Sequence, residues 1–377
     1  MSERVIVVTG EASGEIYGSL LASEIKRLAP AITLTGVGGE AMMKAGVEVF
    51  LDSSEISVVG IWEAIVHLRR LRRAFNRVKA EIASQNPDLL VLVDYPGMNL
   101  RLARFAKELG IKVMYYVSPQ VWAWGRNRIK LIRRSVDKMV VILPFEEELY
   151  RREGVDATYV GHPLIDIVKT RLDRAESFKR LGHDPTRRLV ALLPGSRHQE
   201  IRQHLRPLIS AAADLGSKLS DVDFVMVTLP GFEAMITQEI SRAGADIGIT
   251  TDLRYEAIAY SDLAITCSGT VTLEAALLGT PMIVIYRLAL FSWALGRVIV
   301  KVPYISLVNL VARDEIVPEF IQAEVNPQAL AAEAASILGD DARRSGIIER
   351  LGQVRSKLGP GGATRKAAEV ALLLMAK

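Results

Sequence analysis

Short, continuous runs of apolar and β-branched residues punctuate the chain, separated by longer segments whose apolar positions recur three and four residues apart. The short runs predict strands at Val5–Val8, Leu89–Val93, Val113–Val117, Lys138–Leu143, Leu189–Leu193, Phe224–Thr228, Leu263–Thr266 and Met282–Tyr286. The longer segments, such as Leu100–Leu109, Leu205–Leu219 and Ala363–Met375, predict amphipathic helices. Strands that are apolar at every position, rather than at alternate ones, are covered on both faces, as in a parallel sheet. The alternation is that of an α/β protein.

The pattern starts twice. VIVVTGEASGE opens the chain and LVALLPGSRHQE opens a second series near residue 189, each a strand, a glycine-containing loop and a helix start. At about 150 residues per domain, 377 residues make roughly two domains. The expectation is two Rossmann-like doubly wound domains, 1–168 and 169–345, facing one another across a cleft. The polar stretch Lys169–Arg188 is the linker candidate, and 346–377 is a C-terminal helical segment that packs back on the first domain.

Composition narrows the class. Hydrophobic residues are 50% and charged residues 24%, the balance of a soluble globular protein, with a net charge of +4. Cys267 has no intramolecular disulfide partner, so nothing points to an oxidising compartment. The start, MSERVIVVTG, lacks the layout of a signal peptide. The charge-free stretch Leu288–Gly296 falls far short of the ~20 apolar residues that span a bilayer. A cytoplasmic protein is expected, with contact at a membrane surface left open.

Ligands of open α/β sheets bind beyond the carboxyl ends of the strands, where loop amides and helix N-termini converge. Four loops qualify. GEASGEIYG (Gly10–Gly18) allows close backbone approach and offers Ser13, although its spacing is not a dinucleotide fingerprint. VDYPGMN presents Asp94 directly after a buried strand, with Asn99 as the expected helix cap. LPGSRHQEI sets Gly195, Ser196 and Arg197 at a helix mouth, suited to a pyrophosphate but lacking the Lys-Ser/Thr ending of a P-loop. CSGTVTLEAALLGTP sets Ser268, Gly269 and Thr270 before an apolar helix carrying Glu274, a residue costly to bury without a polar partner. Histidine spacing and a single cysteine give no metal site, and no G-x-S-x-G elbow occurs.

These motifs, in this order, resemble the lipid-A-disaccharide synthase family. The similar stretches include GEASGE at 10–15, GVGGEAM at 36–42, PDLLVLVDYPGMN at 87–99, YVSPQVWAWGRNRI at 116–129, LPFE at 143–146, VGHPL at 160–164, LPGSRHQEI at 193–201, SGTVTLEAAL at 268–277 and ISLVNLVA at 305–312. Two departures stand out. The family usually has Asp at Glu15, and commonly an acidic-aromatic pair where Gly97 and Met98 stand.

The resemblance implies the B-type glycosyltransferase fold and an inverting transfer of 2,3-diacylglucosamine from its UDP derivative to 2,3-diacylglucosamine 1-phosphate, without a metal or cofactor. It implies Asp94 as general base, Arg197 on the leaving diphosphate, Ser13 near the reacting sugar, and uridine-nucleotide contacts at Ser268–Thr270, Glu274 and Asn309. Glu11, Glu15, Asn99, Ser118 and Trp122 would lie near the sugars.

Acylated substrates require a meeting place with the anionic inner-membrane surface. In residues 61–82, Ile61, Ile65, Leu68, Leu71, Phe75 and Val78 recur at helical spacing beside Arg69, Arg70, Arg72, Arg73, Arg77 and Lys79. Such a segment is either an interfacial helix or a core-facing helix with a solvated basic side. Leu288–Val300, with Phe291 and Trp293, is a second lipid candidate. A homodimer is compatible with the sequence. Nucleic acid is disfavoured because aromatics do not interleave with the basic stripe. The competing functions are another UDP-sugar enzyme, such as a 2-epimerase or an N-acetylglucosaminyltransferase, and a non-catalytic nucleotide-binding membrane protein.

Overall fold

The computed structural model describes residues 3–10, 12–56, 68–123, 125, 127–288 and 302–376. The chain divides into two compact units, Met1–Pro163 with Leu358–Lys377, and Leu164–Lys357.

The first unit is built on strands β1 (Arg4–Val8), β2 (Thr33–Gly38), β3 (Glu48–Asp52), β4 (Leu89–Val93), β5 (Lys112–Tyr116), β6 (Lys138–Val141) and β7 (Ala157–Tyr159). They form one sheet in the order β3-β2-β1-β4-β5-β6-β7, every pair parallel. All five residues of β4 are buried, as a strand covered on both faces requires. The sequence pattern missed β2, β3 and β7. β2 is TLTGVG, whose glycines blur an apolar run; a Cβ at Gly36 would stand 2.0 Å from the Val7 carbonyl oxygen, so only glycine fits.

The second unit repeats the plan with β8 (Arg188–Leu193), β9 (Val222–Val227), β10 (Gly248–Thr250), β11 (Leu263–Cys267), β12 (Met282–Tyr286) and β13 (Glu319–Ile321). The order is β10-β9-β8-β11-β12-β13, again all parallel. The helix Val271–Leu278 is buried from Val271 through Leu277, which explains its lack of a polar face.

Three expectations about organisation change. The boundary falls at 163/164, not at 168/169. The proposed linker is folded into the second unit: Asp173 caps a helix, Arg174–Leu181, by accepting from the Glu176 amide at 2.9 Å, and Phe178 anchors it with 1% exposure. One buried aromatic among many charges left the composition polar while supplying the packing. The segment on the first unit starts at Leu358 rather than 346, because the helix Asp341–Lys357 packs against Val271–Leu278. The helix Ala363–Met375 then packs on Ala12–Leu28, with Ala363, Ala367, Ala368 and Ala371 wholly buried. Small side chains on one face let the two helices approach closely.

Candidate functional site

In the first unit the strand order reverses between β1 and β4, so the crossovers leaving these strands diverge and open a crevice at their carboxyl ends. The loop after β1 is the glycine-rich segment and the loop after β4 begins with Asp94. Gly10 lies where a Cβ would meet the Tyr95 ring at 2.4 Å, and a Cβ at Gly14 would come within 3.9 Å of the Asp94 Cβ. At Gly10 the absent side chain is what lets the two loops touch, whereas a Cβ at Gly14 would make an ordinary contact.

Asp94, half-buried, occupies the left-handed region with φ 49°, followed by Tyr95 at 45°. Immediately after the adjacent strand, Val117, β-branched, has φ 62°. Each such conformation costs roughly 1–3 kcal/mol and persists only where its surroundings over-determine it. Here they do. The Asp94 amide donates to the Tyr116 carbonyl at 3.0 Å, and the Asp94 carbonyl accepts from the Tyr115 hydroxyl at 2.5 Å and from Asn99 Nδ2 at 2.8 Å. The Tyr95 hydroxyl donates to the Ile56 carbonyl at 2.7 Å. Asn99 is therefore not the helix cap: the helix runs Pro96–Glu108 with Tyr95 at its cap, and Asn99, inside the first turn, reaches back to the Val93 and Asp94 carbonyls. Proline fits the first helical position, where its missing amide has no partner to lose.

Beyond β5, Ser118 and Trp122 converge on one carboxyl group. Ser118 Oγ donates to Glu146 Oε1 at 2.6 Å, Trp122 Nε1 donates to the same oxygen at 3.2 Å, and the Leu143 amide donates to Oε2 at 3.0 Å. Glu146 is buried, and desolvation pushes its pKa up to about 7 against these donors. Glu15 is likewise occupied within the fold: its carboxylate accepts from the Ala41 amide at 3.1 Å and from Ser53 Oγ at 3.3 Å. His162 is buried against Tyr17, with its pKa lowered to about 3 by desolvation.

In the second unit the order reverses between β8 and β11, which brings together the loops carrying Gly195–Arg197 and Ser268–Thr270. Gly195 has φ 131° and a Cβ there would strike Glu200 at 2.7 Å. Arg197 is the cap of the helix His198–Lys218; Glu200 accepts from the Ser196 and Arg197 amides at 3.1 and 3.3 Å and meets Arg197 Nη1 at 3.4 Å. His204, wholly buried, ties this loop to β12: its Nδ1 lies 2.7 Å from the Pro194 carbonyl and Nε2 accepts from the Arg287 amide at 2.9 Å. Those partners require the neutral Nδ1–H tautomer, and burial lowers the pKa accordingly.

Ser268 Oγ donates to the Ile305 carbonyl at 2.7 Å, and Gly269 has φ 154°. Glu274 is buried and paired with Arg254; burial raises its pKa and the guanidinium opposes the rise. Asn309 changes in meaning. Its Oδ1 accepts from the Ile316 and Val317 amides at 2.9 and 3.1 Å, and its Nδ2 donates to the Val317 carbonyl and Glu319 Oε1, both at 2.9 Å. That is the full capacity of an asparagine side chain, so here it is a structural pin.

Among the lipid candidates, Phe75 is half-buried against the first unit's core, and Val78 is wholly buried beside it. The apolar stripe of the helix Leu68–Gln85 is core from there onward, a correction to its reading as lipid surface, while Arg69 and Arg72 are exposed. Glu11, Ile61, Ile65, Phe291 and Trp293 lie outside the described residues, as do the side chains of Ser13 and Leu68. Among the described residues, no three His, Cys, Asp and Glu side chains gather as a metal site would need, and no helix is long and apolar enough to cross a membrane.

The family model for lipid-A-disaccharide synthetase matches residues 5–371. The chain belongs to that family. The lipid-A-disaccharide synthase of Geobacter sulfurreducens is 41% identical over 377 residues, covering 100% of this chain and 98% of the relative. That of Syntrophus aciditrophicus is 42% identical over 378 residues, covering 100% and 99%. Among solved structures, UDP-GlcNAc 2-epimerase from Neisseria meningitidis bound to UDP-GlcNAc has a TM-score of 0.66 at 11% identity, covering 99% of this chain and 100% of that one. The glycotransferase of kitacinnamycin gives 0.68 at 15%, covering 98% of each. The fold is thus shared by epimerases and transferases; membership of the family is what makes this chain a glycosyltransferase.

Sequence reasoning overlooked Tyr115, Glu200, His204 and the role of Glu146. The available signal was a polar residue inside an apolar run or helix face, which a buried site must explain. Replacing Glu146 with Gln keeps the three donors near an amide and removes the titration. Because the folded pKa lies above the unfolded one, this carboxyl stabilises the first unit fully below pH ~4.5, and the contribution is lost as pH rises through about 7. The thermal midpoint of E146Q is expected to be less sensitive to pH between 4.5 and 7 than that of the parent, the difference amounting to at most about 3 kcal/mol across that window. Parallel curves would show that Glu146 is ionised throughout.

Proposed function

We propose that this glycosyltransferase moves 2,3-diacylglucosamine from UDP-2,3-diacylglucosamine to the 6-hydroxyl of 2,3-diacylglucosamine 1-phosphate, giving the β-1,6-linked disaccharide 1-phosphate and UDP. The family match over residues 5–371 carries this reading. An α-linked donor and a β-linked product require in-line displacement, in which a base takes the acceptor proton as the C1–O bond breaks. Asp94 is the base: a half-buried carboxylate at a strand end, on a backbone gripped by Tyr115 and Asn99. Arg197, with the amides of Gly195 and Ser196 at a helix mouth, meets the charge that grows on the departing diphosphate. Ser268, Gly269 and Thr270 support the nucleotide, and Glu274, aligned by Arg254, is the acceptor for its ribose hydroxyls.

The purified protein incubated with both substrates is expected to release UDP in equal amount to a tetra-acylated disaccharide phosphate. UDP with free diacylglucosamine would mean hydrolysis and end this assignment.

Asp94→Asn keeps the hydrogen bonds of its backbone and is expected to retain the fold and UDP binding while turnover falls about 100-fold or more. Turnover close to the parent's would remove Asp94 from the mechanism.

Arg69 and Arg72 form the contact with the anionic membrane surface in this reading. Replacing both with Ser is expected to weaken binding to anionic vesicles by about 1 kcal/mol for each cation near the surface, and added salt should produce the same loss in the parent. Equal co-sedimentation of variant and parent would assign these arginines to solvent.

A further inference from the structure

The helix Leu68–Gln85 carries a denser run of arginine than any other described helix. Several exposed helical arginines elsewhere pair with a carboxylate three or four residues away, as in Arg104–Glu108, Arg151–Glu147, Arg180–Glu176 and Arg365–Glu369. Between residues 69 and 77 this helix carries five arginines, and its first acidic residue is Glu81. Arg69, Arg73 and Arg77 make no ion pair among the described residues. Arg69, Arg73 and Arg77 stand four residues apart on one face, where like charges repel and an anion between them would relieve the repulsion.

These arginines line a cavity. Arg69, Arg70, Arg73 and Arg77 face Leu51 and Glu55 around a volume of about 520 Å³. Without Arg69, assigned above to the membrane surface, three guanidiniums against one carboxylate leave an excess of two positive charges. The opposite wall is the turn Ser53–Glu55, held from three sides: Arg70 Nη2 donates to the Ser54 carbonyl at 3.1 Å, Ser53 Oγ donates to Glu15, and Tyr95 donates to the carbonyl of Ile56. The last bond ties the cavity to the site, since Tyr95 follows Asp94. A single tyrosine side chain therefore spans from the backbone beside Asp94 to Ile56, the residue after the cavity-lining Glu55.

We infer that this cavity is the subsite for the phosphate monoester of the acceptor sugar, with Arg73 and Arg77 as its binding forks. The inference rests on Asp94 being the base that receives the acceptor hydroxyl. The acceptor's 6-hydroxyl and its anomeric phosphate lie at opposite ends of one hexose ring, a span of the same kind as the tyrosine that links the two places. Guanidinium forks match phosphate oxygens in pairs, whereas lysine offers a point charge. Arg70 holds the wall and Arg73 and Arg77, one helical turn apart, face the ligand.

The test compares R73A/R77A and R73K/R77K with the parent in detergent micelles, on 2,3-diacylglucosamine 1-phosphate and on the same sugar without phosphate. For R73A/R77A the KM for the phosphorylated acceptor is expected to rise on the order of 10- to 100-fold, the range for lost hydrogen bonds to a charged group. Its kcat and donor KM should stay near the parent's, and its preference for the phosphorylated acceptor should collapse. The lysine variant should recover part of that preference. An undiminished preference in R73A/R77A overturns the proposal, and if vesicle binding falls at the same time, the arginines read a phospholipid headgroup instead. Should the double alanine variant fail to fold, R73A and R77A singly carry the same comparison. Failure of the base assignment would show separately, as unimpaired kcat in D94N, because acceptor preference is read from any variant that turns over.

Discussion

A parallel sheet whose strand order reverses leaves one place on its edge that no crossover can cover. Helices leaving the two strands at the reversal run to opposite faces, and the amides and side chains at the strand ends remain accessible between them. Both units of this protein are built around that constraint. In the first, it sets the glycine loop after β1 against Asp94 after β4; in the second, it sets Gly195–Arg197 after β8 against Ser268–Thr270 after β11. Motifs separated by some 80 residues in the chain become neighbours because the strands that carry them pair.

Position alone does not orient a catalytic carboxylate. The backbone at Asp94, Tyr95 and Val117 lies in the left-handed region, where non-glycine residues are costly. Buried hydrogen bonds from Tyr115 and Asn99 to the Asp94 carbonyl offset that cost and leave the loop a single arrangement. The second unit uses side chains of a different kind for the same end. Glu200 gathers the amides of Ser196 and Arg197, and His204 couples Pro194 to Arg287 through both ring nitrogens. In each unit the groups assigned to chemistry are few, and the groups that hold them are fixed by hydrogen bonds to loop backbone.

Some polar residues turned out to hold the fold. Asn309 makes four hydrogen bonds within its own unit, and Glu15 bonds the Ala41 amide and Ser53. A motif residue can be kept for the loop it fastens as well as for the ligand it meets.

The α/β class, eight of the strands and the four glycine- or aspartate-bearing loops were legible in the sequence, because continuous apolar runs and loop chemistry are local properties. The strands β2 and β3 were not: β2 is interrupted by two glycines, the edge strand β3 begins and ends on exposed acidic residues, and their strand character comes from pairing with β1 and with each other. The linker between the units was misplaced because one buried phenylalanine decides the fate of a segment that is otherwise charged. Nor does spacing along the chain reveal that Tyr115 reaches the Asp94 carbonyl, that Ser118 and Trp122 share Glu146, or that Tyr95 joins the base to an arginine-lined cavity. Those contacts exist only once parallel strands stand side by side. Which residues have chemistry to offer is a local property of the chain; which of them meet is a property of the fold, because burial strongly favours paired polar groups and topology limits the partners within reach.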